Sequence, residues 1–116
     1  DWKFIATVKK SVEDNMDNPS FNVDVLCNLL NMSRTSFYNK IKALTDQAPA
    51  DYIRLIRLKH AAQLLKEQKH TITEISELTG FSDAKYFREV FKKHFDMSPS
   101  QYAKRGKEGK DDKEIK

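Results

Sequence analysis

Apolar side chains recur every three or four residues along most of this chain, which is the spacing of one face of an α-helix. The first segment carries a stripe of four such residues: Phe4, Val8, Val12 and Met16. Asn18 and Pro19 are expected to end that helix. Alternation of apolar and polar residues, the pattern of a half-buried strand, is rare, so the sequence predicts an all-α fold.

Turn residues divide the next part of the chain into a short and a longer predicted helix. Asn22 is placed to cap the short run VDVLCNLL. The run SRTSFYNKIKAL follows, with Phe37, Ile41 and Leu44 on its inward face. Pro49 suits the first turn of a long helix over about 50–68, a rod of roughly 28 Å at 1.5 Å per residue.

The second part of the chain predicts three more helices, about seven in all. Thr71 with Glu74 forms a candidate capping box for the run TEISELT, although Thr73 is an alternative cap. The run DAKYFREVFKKHF is expected to direct Phe87, Val90 and Phe91 inward. Residues 98–102 start a last short helix, and the polar segment 105–116 is predicted to be disordered.

The chain contains an internal repeat. Residues 46–52 read DQAPADY and residues 96–102 read DMSPSQY, so Asp, Pro and Tyr recur fifty residues apart. The segments before these also align. Residues 26–33 match residues 75–82 at an offset of 49, one residue is inserted after Ser82, and the offset is 50 from there on. The same helical unit is therefore expected to be built twice.

Each unit has the pattern of a helix-turn-helix motif. Asn31 and Gly80 occupy the turn, where both residue types tolerate a positive φ. Small side chains four residues earlier, Cys27 and Ser76, allow the two helices to approach. A serine precedes the second helix of each unit, where a hydroxyl can cap the helix while free N–H groups bind a phosphate. Those serines are Ser33 and Ser82.

Charge supports a nucleic-acid partner. The net charge is +4, and residues 33–69 carry eight basic and three acidic side chains. The second helix of each unit is basic, which favours double-stranded DNA. RNA binding is less expected because no dsRNA module or sheet with stacking aromatic residues is visible. A helical protein–protein module remains the main rival interpretation.

Other functional classes have little support in the sequence. Cys27 has no partner cysteine, and His60, His70 and His94 lack metal-ligand spacing, so no metal or other cofactor is expected. No glycine-rich phosphate loop or catalytic triad pattern is present, so the chain is not expected to be an enzyme. With no apolar run near 18 residues, a cytoplasmic location is expected. The start at Asp1 suggests a piece of a longer protein.

The second half carries a family signature: I-S-E-L-T-G-F-S-D-x-x-Y-F-R-E-V-F-K-K-x-F-x-x-S-P-S-Q-Y, over residues 75–102. It closely resembles the DNA-binding domain of AraC/XylS-type transcription regulators, and the resemblance covers about residues 20–104. The leading helix also resembles that of the C-terminal output domain of hybrid two-component regulators, which are larger and signal-responsive.

The resemblance implies two helix-turn-helix subdomains joined by a long linker helix. The expected division is 1–17 for a leading helix, 18–48 and 70–104 for the subdomains, and 49–69 for the linker. Two recognition helices would then enter successive major-groove segments on one face of the duplex. Double-stranded DNA is the expected partner and RNA polymerase a candidate second one. The isolated domain is expected to be monomeric, with dimerisation open for the full-length regulator.

The resemblance also implies site residues. Base contacts are expected from Arg34, Thr35, Tyr38, Asn39, Lys85, Arg88 and Glu89, with Ala84 on the same face. Phosphate contacts are expected from Ser33, Lys40, Lys42, Arg54, Ser82, Tyr86, Lys92 and Lys93.

Several of these roles have alternatives. Tyr38 is as well suited to a phosphate or to stacking as to a base, and Glu89 either accepts from cytosine N4 or pairs with a lysine of its own helix. Asp83 is expected to act as a helix-start acid without touching DNA. Arg54 and Arg57 either reach phosphates or, more readily for Arg57, form a salt bridge that braces the two subdomains.

Overall fold

The computed structural model describes residues 1–105 of the chain, and this part consists of helices joined by turns. The segment predicted to be disordered lies outside the described residues, apart from Arg105. The helices are α1 (Trp2–Asp14), α2 (Val23–Leu29), α3 (Arg34–Thr45), α4 (Pro49–Glu67), α5 (Ile72–Leu78) and α6 (Ala84–Phe95). A seventh helix, α7, covers 99–105. The all-α prediction is confirmed.

Helix ends follow the predicted capping chemistry in most places. Asn22 caps α2, its side chain accepting from the N–H of Val25, and Pro49 occupies the first turn of α4. Thr71, and not Thr73, caps α5 in a capping box with Glu74. α1 ends at Asp14, four residues before the Asn18-Pro19 pair that was expected to stop it.

The structure corrects two local predictions. Asp83, and not Ser82, caps α6, because its carboxylate accepts from the N–H of Lys85. Ser82 lies one residue further from the helix. Leu44, expected to face inward, is 40% exposed, so the buried face of α3 consists of Phe37 and Ile41 and does not extend to the last turn.

The long helix α4 separates two hydrophobic cores. The first contains residues of α1, α2 and α3 with Tyr52, Ile53 and Ile56 of α4. The second contains residues of α5 and α6 with Leu58 and Leu65 of α4. Both halves of the chain therefore pack on one rod, and the change from one core to the next falls between residues 56 and 58.

The internal repeat found in the sequence is also present in the structure. The pattern of buried and exposed residues over 37–50 is the same, position by position, over 87–100. Asp46 and Asp96 end α3 and α6 in the left-handed region, at φ 60° and 61°. Asn31 and Gly80 also have positive φ, as predicted for the two turns. Each half thus supplies one helix with the same buried face.

Candidate nucleic-acid interface

α3 and α6 present equivalent exposed faces. Burial of Phe37 and Ile41 in α3 leaves the opposite side of the helix in solvent. That side carries four of the predicted base-contact residues: Arg34, Thr35, Tyr38 and Asn39, all exposed. In α6 the burial of Phe87 and Phe91 exposes the other three, Lys85, Arg88 and Glu89, whereas Ala84 is half-buried.

The two faces differ in chemistry although they are equivalent in position. An offset of fifty residues pairs Thr35 with Lys85 and Asn39 with Glu89. The face of α3 therefore combines one guanidinium with a hydroxyl, a phenol and an amide. The face of α6 carries charged groups, including one carboxylate. Two helices with different donors and acceptors in equivalent positions can read two different half-sites.

The helix starts differ too. Ser33 caps α3, and its hydroxyl accepts from the N–H of Ser36 at 3.1 Å. The carboxylate of Asp83 caps α6 at 3.0 Å from the N–H of Lys85. A neutral cap leaves the partial positive charge of the helix start available to a phosphate, whereas a carboxylate neutralises it. The start of α3 is the better phosphate site of the two.

Arg34 is held by a carboxylate from the preceding helix. Its Nη1 lies 2.6 Å from Oδ1 of Asp24, and the two side chains are 71% and 61% exposed. Ion pairs of this exposure contribute roughly 0–1 kcal/mol, so the pair does not prevent Arg34 from binding another acceptor. This pairing could not be predicted from the sequence, because a spacing of ten residues across a turn is not a helical contact.

Predicted phosphate-contact residues from different elements meet in a cleft of about 310 Å³ where α2, α4 and the α5–α6 turn come together. Arg54, Ser82 and Tyr86 line it. A neighbouring cleft of about 610 Å³ shares Arg54 and Tyr86 and adds Lys93. Arg54 is paired with Asp51 through an Nη2–Oδ1 distance of 2.6 Å. The fold thus brings four of the eight predicted phosphate residues to one continuous surface.

Three of the predicted phosphate-contact lysines lie elsewhere. Lys40 faces α1, with its Nζ 4.3 Å from the centre of the Phe4 ring and 3.5 Å from Oδ2 of Asp1. Lys42 donates to the carbonyl of Asp46 at 3.3 Å, at the C-terminal end of α3. Lys92 occupies the equivalent last turn of α6. Cations there stabilise the helix through its dipole, which accounts for Lys42 and Lys92 without DNA.

Residues 26–105 match a family described as a helix-turn-helix domain, which covers more than half of the chain. The repeated unit with its two positive-φ turns is that motif, formed twice. The chain belongs to the AraC-type helix-turn-helix domains. It is a DNA-binding domain of the kind found in AraC-family transcription regulators.

Individual relatives agree with this assignment. The chain is 46% identical over 105 residues to "Histidine kinase P4" of Formosa agariphila, covering 90% of this chain and 8% of that protein. It is 34% identical to the "Msm operon regulatory protein" of Streptococcus mutans, covering 87% of this chain and 36% of that protein. It is 31% identical to the "HTH-type transcriptional regulator MtrA" of Neisseria gonorrhoeae, covering 78% of this chain and 31% of that protein.

Two solved structures are similar in fold. One is the C-terminal domain of the two-component response regulator yesN from Fusobacterium nucleatum, with a TM-score of 0.79, 27% identity, and 87% and 98% coverage of the two chains. The other is the DNA-binding domain of AdpA in complex with a target DNA, with a TM-score of 0.79, 25% identity, and 86% and 89% coverage.

Arg57 of this AraC-type domain has the bracing role that was one of its two predicted alternatives, although not through a salt bridge. It is 5% exposed, and both of its terminal nitrogens already donate to main-chain carbonyls, which leaves little of the guanidinium for a phosphate. It braces the two halves, as one alternative held, but through backbone carbonyls and without a carboxylate partner. Burial lowers the pKa of its guanidinium.

One exposed residue of the AraC-type faces was missed. Ser36 is exposed on α3 at the position equivalent to Tyr86 of α6. Ser36 and Tyr86 are fifty residues apart, which is the offset of the repeat. Because Tyr86 was predicted to contact a phosphate, the repeat alone would have indicated the same role for Ser36. A serine hydroxyl there is a further candidate for a phosphate contact.

Other chemistry has little support within residues 1–105. This part of the chain holds no cluster of three His, Cys, Asp or Glu side chains that suits a metal ion. Cys27 is buried, and burial raises the pKa of its thiol. None of the described helices is both long and apolar enough to cross a membrane.

Proposed function

We propose that this domain binds double-stranded DNA by inserting α3 and α6 into successive segments of the major groove. The observation that carries the proposal is the equivalence of the two helices: each buries the same face and, from Thr35 and Lys85 onward, exposes the same positions. A single chain with two such helices can read an asymmetric site that other regulators cover as a dimer.

The exposed side chains suit distinct bases. Arg34 fits guanine O6 and N7, and Asn39 fits adenine N6 and N7, each contributing about 1–3 kcal/mol of discrimination. Thr35 suits a thymine methyl group, and Tyr38 a base or a phosphate. On α6, Lys85 and Arg88 suit guanine and Glu89 suits cytosine N4. These assignments rest on exposure and on helix position.

Phosphate contacts then divide into two groups. Arg54, Ser82, Tyr86 and Lys93 line the clefts between the two halves, and the uncharged cap Ser33 lies at the start of α3. We assign the main backbone contacts to these five residues. Lys40, Lys42 and Lys92 are assigned peripheral contacts, because each is placed near another protein group or at a helix end.

The domain is proposed to be the output part of a larger, signal-responsive regulator, since it spans only 8% of the relative called a histidine kinase. Its proposed organisation is a leading helix (1–17), two subdomains (18–48 and 70–104) and a linker (49–69). We propose a cytoplasmic, non-enzymatic domain that is monomeric in isolation, with RNA polymerase as a candidate partner.

Selection of duplexes from a random pool, followed by titrations of the selected site and all its single-base variants, tests this function. Arg34→Ala should relax the preference at one base pair, whereas Arg54→Ala should weaken binding to every sequence by a similar factor. Arg54→Ala should also reduce the slope of log K against log salt by about 0.9.

Lys10→Ala is the matched control for removal of a surface cation. Lys10 is exposed on α1 and pairs with Asp14, away from the clefts. It should leave both the sequence preference and the salt slope unchanged. If no sequence is enriched, or if Arg34→Ala and Arg54→Ala give the same profile across the base panel, the assignment of α3 as a base-reading helix is wrong.

A further inference from the structure

Arg57 makes four hydrogen bonds from the middle of α4. Its Nη1 donates to the carbonyls of Met16 at 2.6 Å and Thr79 at 2.8 Å. Its Nη2 donates to the carbonyls of Asn18 at 3.0 Å and Phe21 at 3.1 Å. Desolvating a guanidinium is costly, so a buried arginine is stable only where its N–H groups are satisfied in this way.

These carbonyls belong to different halves of the domain. Met16, Asn18 and Phe21 lie in the α1–α2 connection of the first half, and Thr79 lies in the α5–α6 turn of the second. Within residues 1–105, Arg57 is the one side chain that hydrogen-bonds to both. It also stands between Ile56, which belongs to the first core, and Leu58, which belongs to the second.

The α5–α6 turn is shaped around the guanidinium. Gly80 has φ +79°, and a Cβ at this position would collide with Nη1 and lie 2.6 Å from Cζ of Arg57. Thr79 is fully buried, and its hydroxyl donates to the carbonyl of Ile75 at 2.7 Å. The turn that leads into α6 is therefore held at one place against Arg57.

Packing on α4 alone does not fully fix the orientation of the two halves, because each half can still rotate slightly about the axis of that helix. A second attachment at the junction removes that freedom. We propose that Arg57 is a positioning residue that fixes α6 relative to α3, and thereby sets the number of base pairs between the two half-sites that the domain accepts. This inference rests on the DNA-binding function proposed above.

The test is a set of duplexes in which the selected site carries −1, 0, +1 or +2 base pairs between its half-sites. One base pair shifts and rotates a half-site by about 3.4 Å and 35°, given a turn of 10–10.5 base pairs. The wild-type chain should lose at least about tenfold in affinity at −1 and +1, because one helix loses its base contacts.

The Arg57→Gln variant should bind the site with the original spacing more weakly than the wild type does. Its affinity should fall by less than about threefold when the spacing is changed, since a second half that is less firmly held can reorient toward its displaced half-site. Arg57→Lys keeps the charge but not the planar fork, so it should have an intermediate spacing penalty. Leu65→Ala is the control for lost stability: it weakens the second core without touching the tie and should keep the wild-type spacing profile.

Circular dichroism establishes that each variant is folded at the assay temperature. If Arg57→Gln does not fold, the comparison of Arg57→Lys with Leu65→Ala decides. Equal spacing penalties in the wild type and the folded Arg57 variant would overturn the positioning role while leaving DNA binding intact. A wild-type chain that enriches no two-part site would instead refute the proposed function itself.

Discussion

Replacement of Gly80 by alanine probes the contact between the α5–α6 turn and Arg57. Gly80 has φ +79°, where an L residue with a Cβ costs about 1–2 kcal/mol. The new methyl group would collide with Nη1 of Arg57 and lie 2.5 Å from the carbonyl oxygen of Met16. The guanidinium must therefore move.

The cost of that movement follows from the hydrogen bonds of Nη1. It donates to Met16 and Thr79, and a hydrogen bond that involves a charged group contributes about 1.5–3 kcal/mol. Loss of one such bond, added to the backbone strain, gives a total destabilisation of about 2.5–5 kcal/mol. A domain of this size has a total stability of about 5–15 kcal/mol, so the variant should lose between about a sixth and all of it.

Urea unfolding followed by circular dichroism measures the free energy of unfolding of Gly80→Ala. Asn31→Ala is the matched control, because Asn31 occupies the equivalent turn at φ 55° but is exposed. It should cost about 1 kcal/mol or less, because asparagine, unlike glycine, has a Cβ and already bears part of the strain that alanine has at this φ. Similar losses in the two variants would show that backbone strain accounts for the effect and that the contact with Arg57 does not matter.

Three further predictions concern stability and accessibility. Phe87→Ala should cost about 3–5 kcal/mol by urea unfolding, because Phe87 is fully buried in the second core, whereas Trp2→Ala at a 76% exposed position should change stability by less than about 0.5 kcal/mol. The backbone N–H and hydroxyl of Thr71 hold the pKa of Glu74 below its usual value, so the stability that this capping box contributes is present above pH 4.5 and declines as the pH falls through the lower, folded-state pKa. Glu74→Gln should remove that part of the pH dependence, and an unchanged acid profile would contradict it. Cys27, being buried with a raised pKa, should react with iodoacetamide only at the rate of unfolding, and rapid labelling of the folded chain would show that the α2–α3 packing is wrong.

The repeated unit could be predicted because its signals are local. A positive φ depends on the residue at that position, so Asn31 and Gly80 mark the two turns without knowledge of the rest of the fold. Capping by Asn22 and Thr71 is equally local, as it joins a side chain to an N–H three residues away. The inward positions Phe37 and Phe87 follow from helical periodicity in the same way.

The sequence did not predict the helix cap where two neighbouring residues could both serve, and it did not predict contacts between segments that are far apart in the chain. Ser82 and Asp83 are both good caps, and the geometry of the turn selected the carboxylate. Lys40 is basic on a basic helix, yet α1 passes close enough to hold it. The partners of Arg57 are main-chain carbonyls, which every residue possesses, so no residue type in the sequence marks them.

Short-range order therefore accounts for the helices, their ends, the duplicated motif and the faces that α3 and α6 expose, since each depends on residues within one or two turns. The meeting of the two halves at Arg57, the pairing of Arg34 with Asp24 and the clefts around Arg54 depend on segments 10 to 41 residues apart. The pairing of Arg34 with Asp24 needs α2 and α3 to be packed together, and the contacts of Arg57 and the clefts around Arg54 need α4 to be packed on both halves, because only that packing brings the distant groups close to one another.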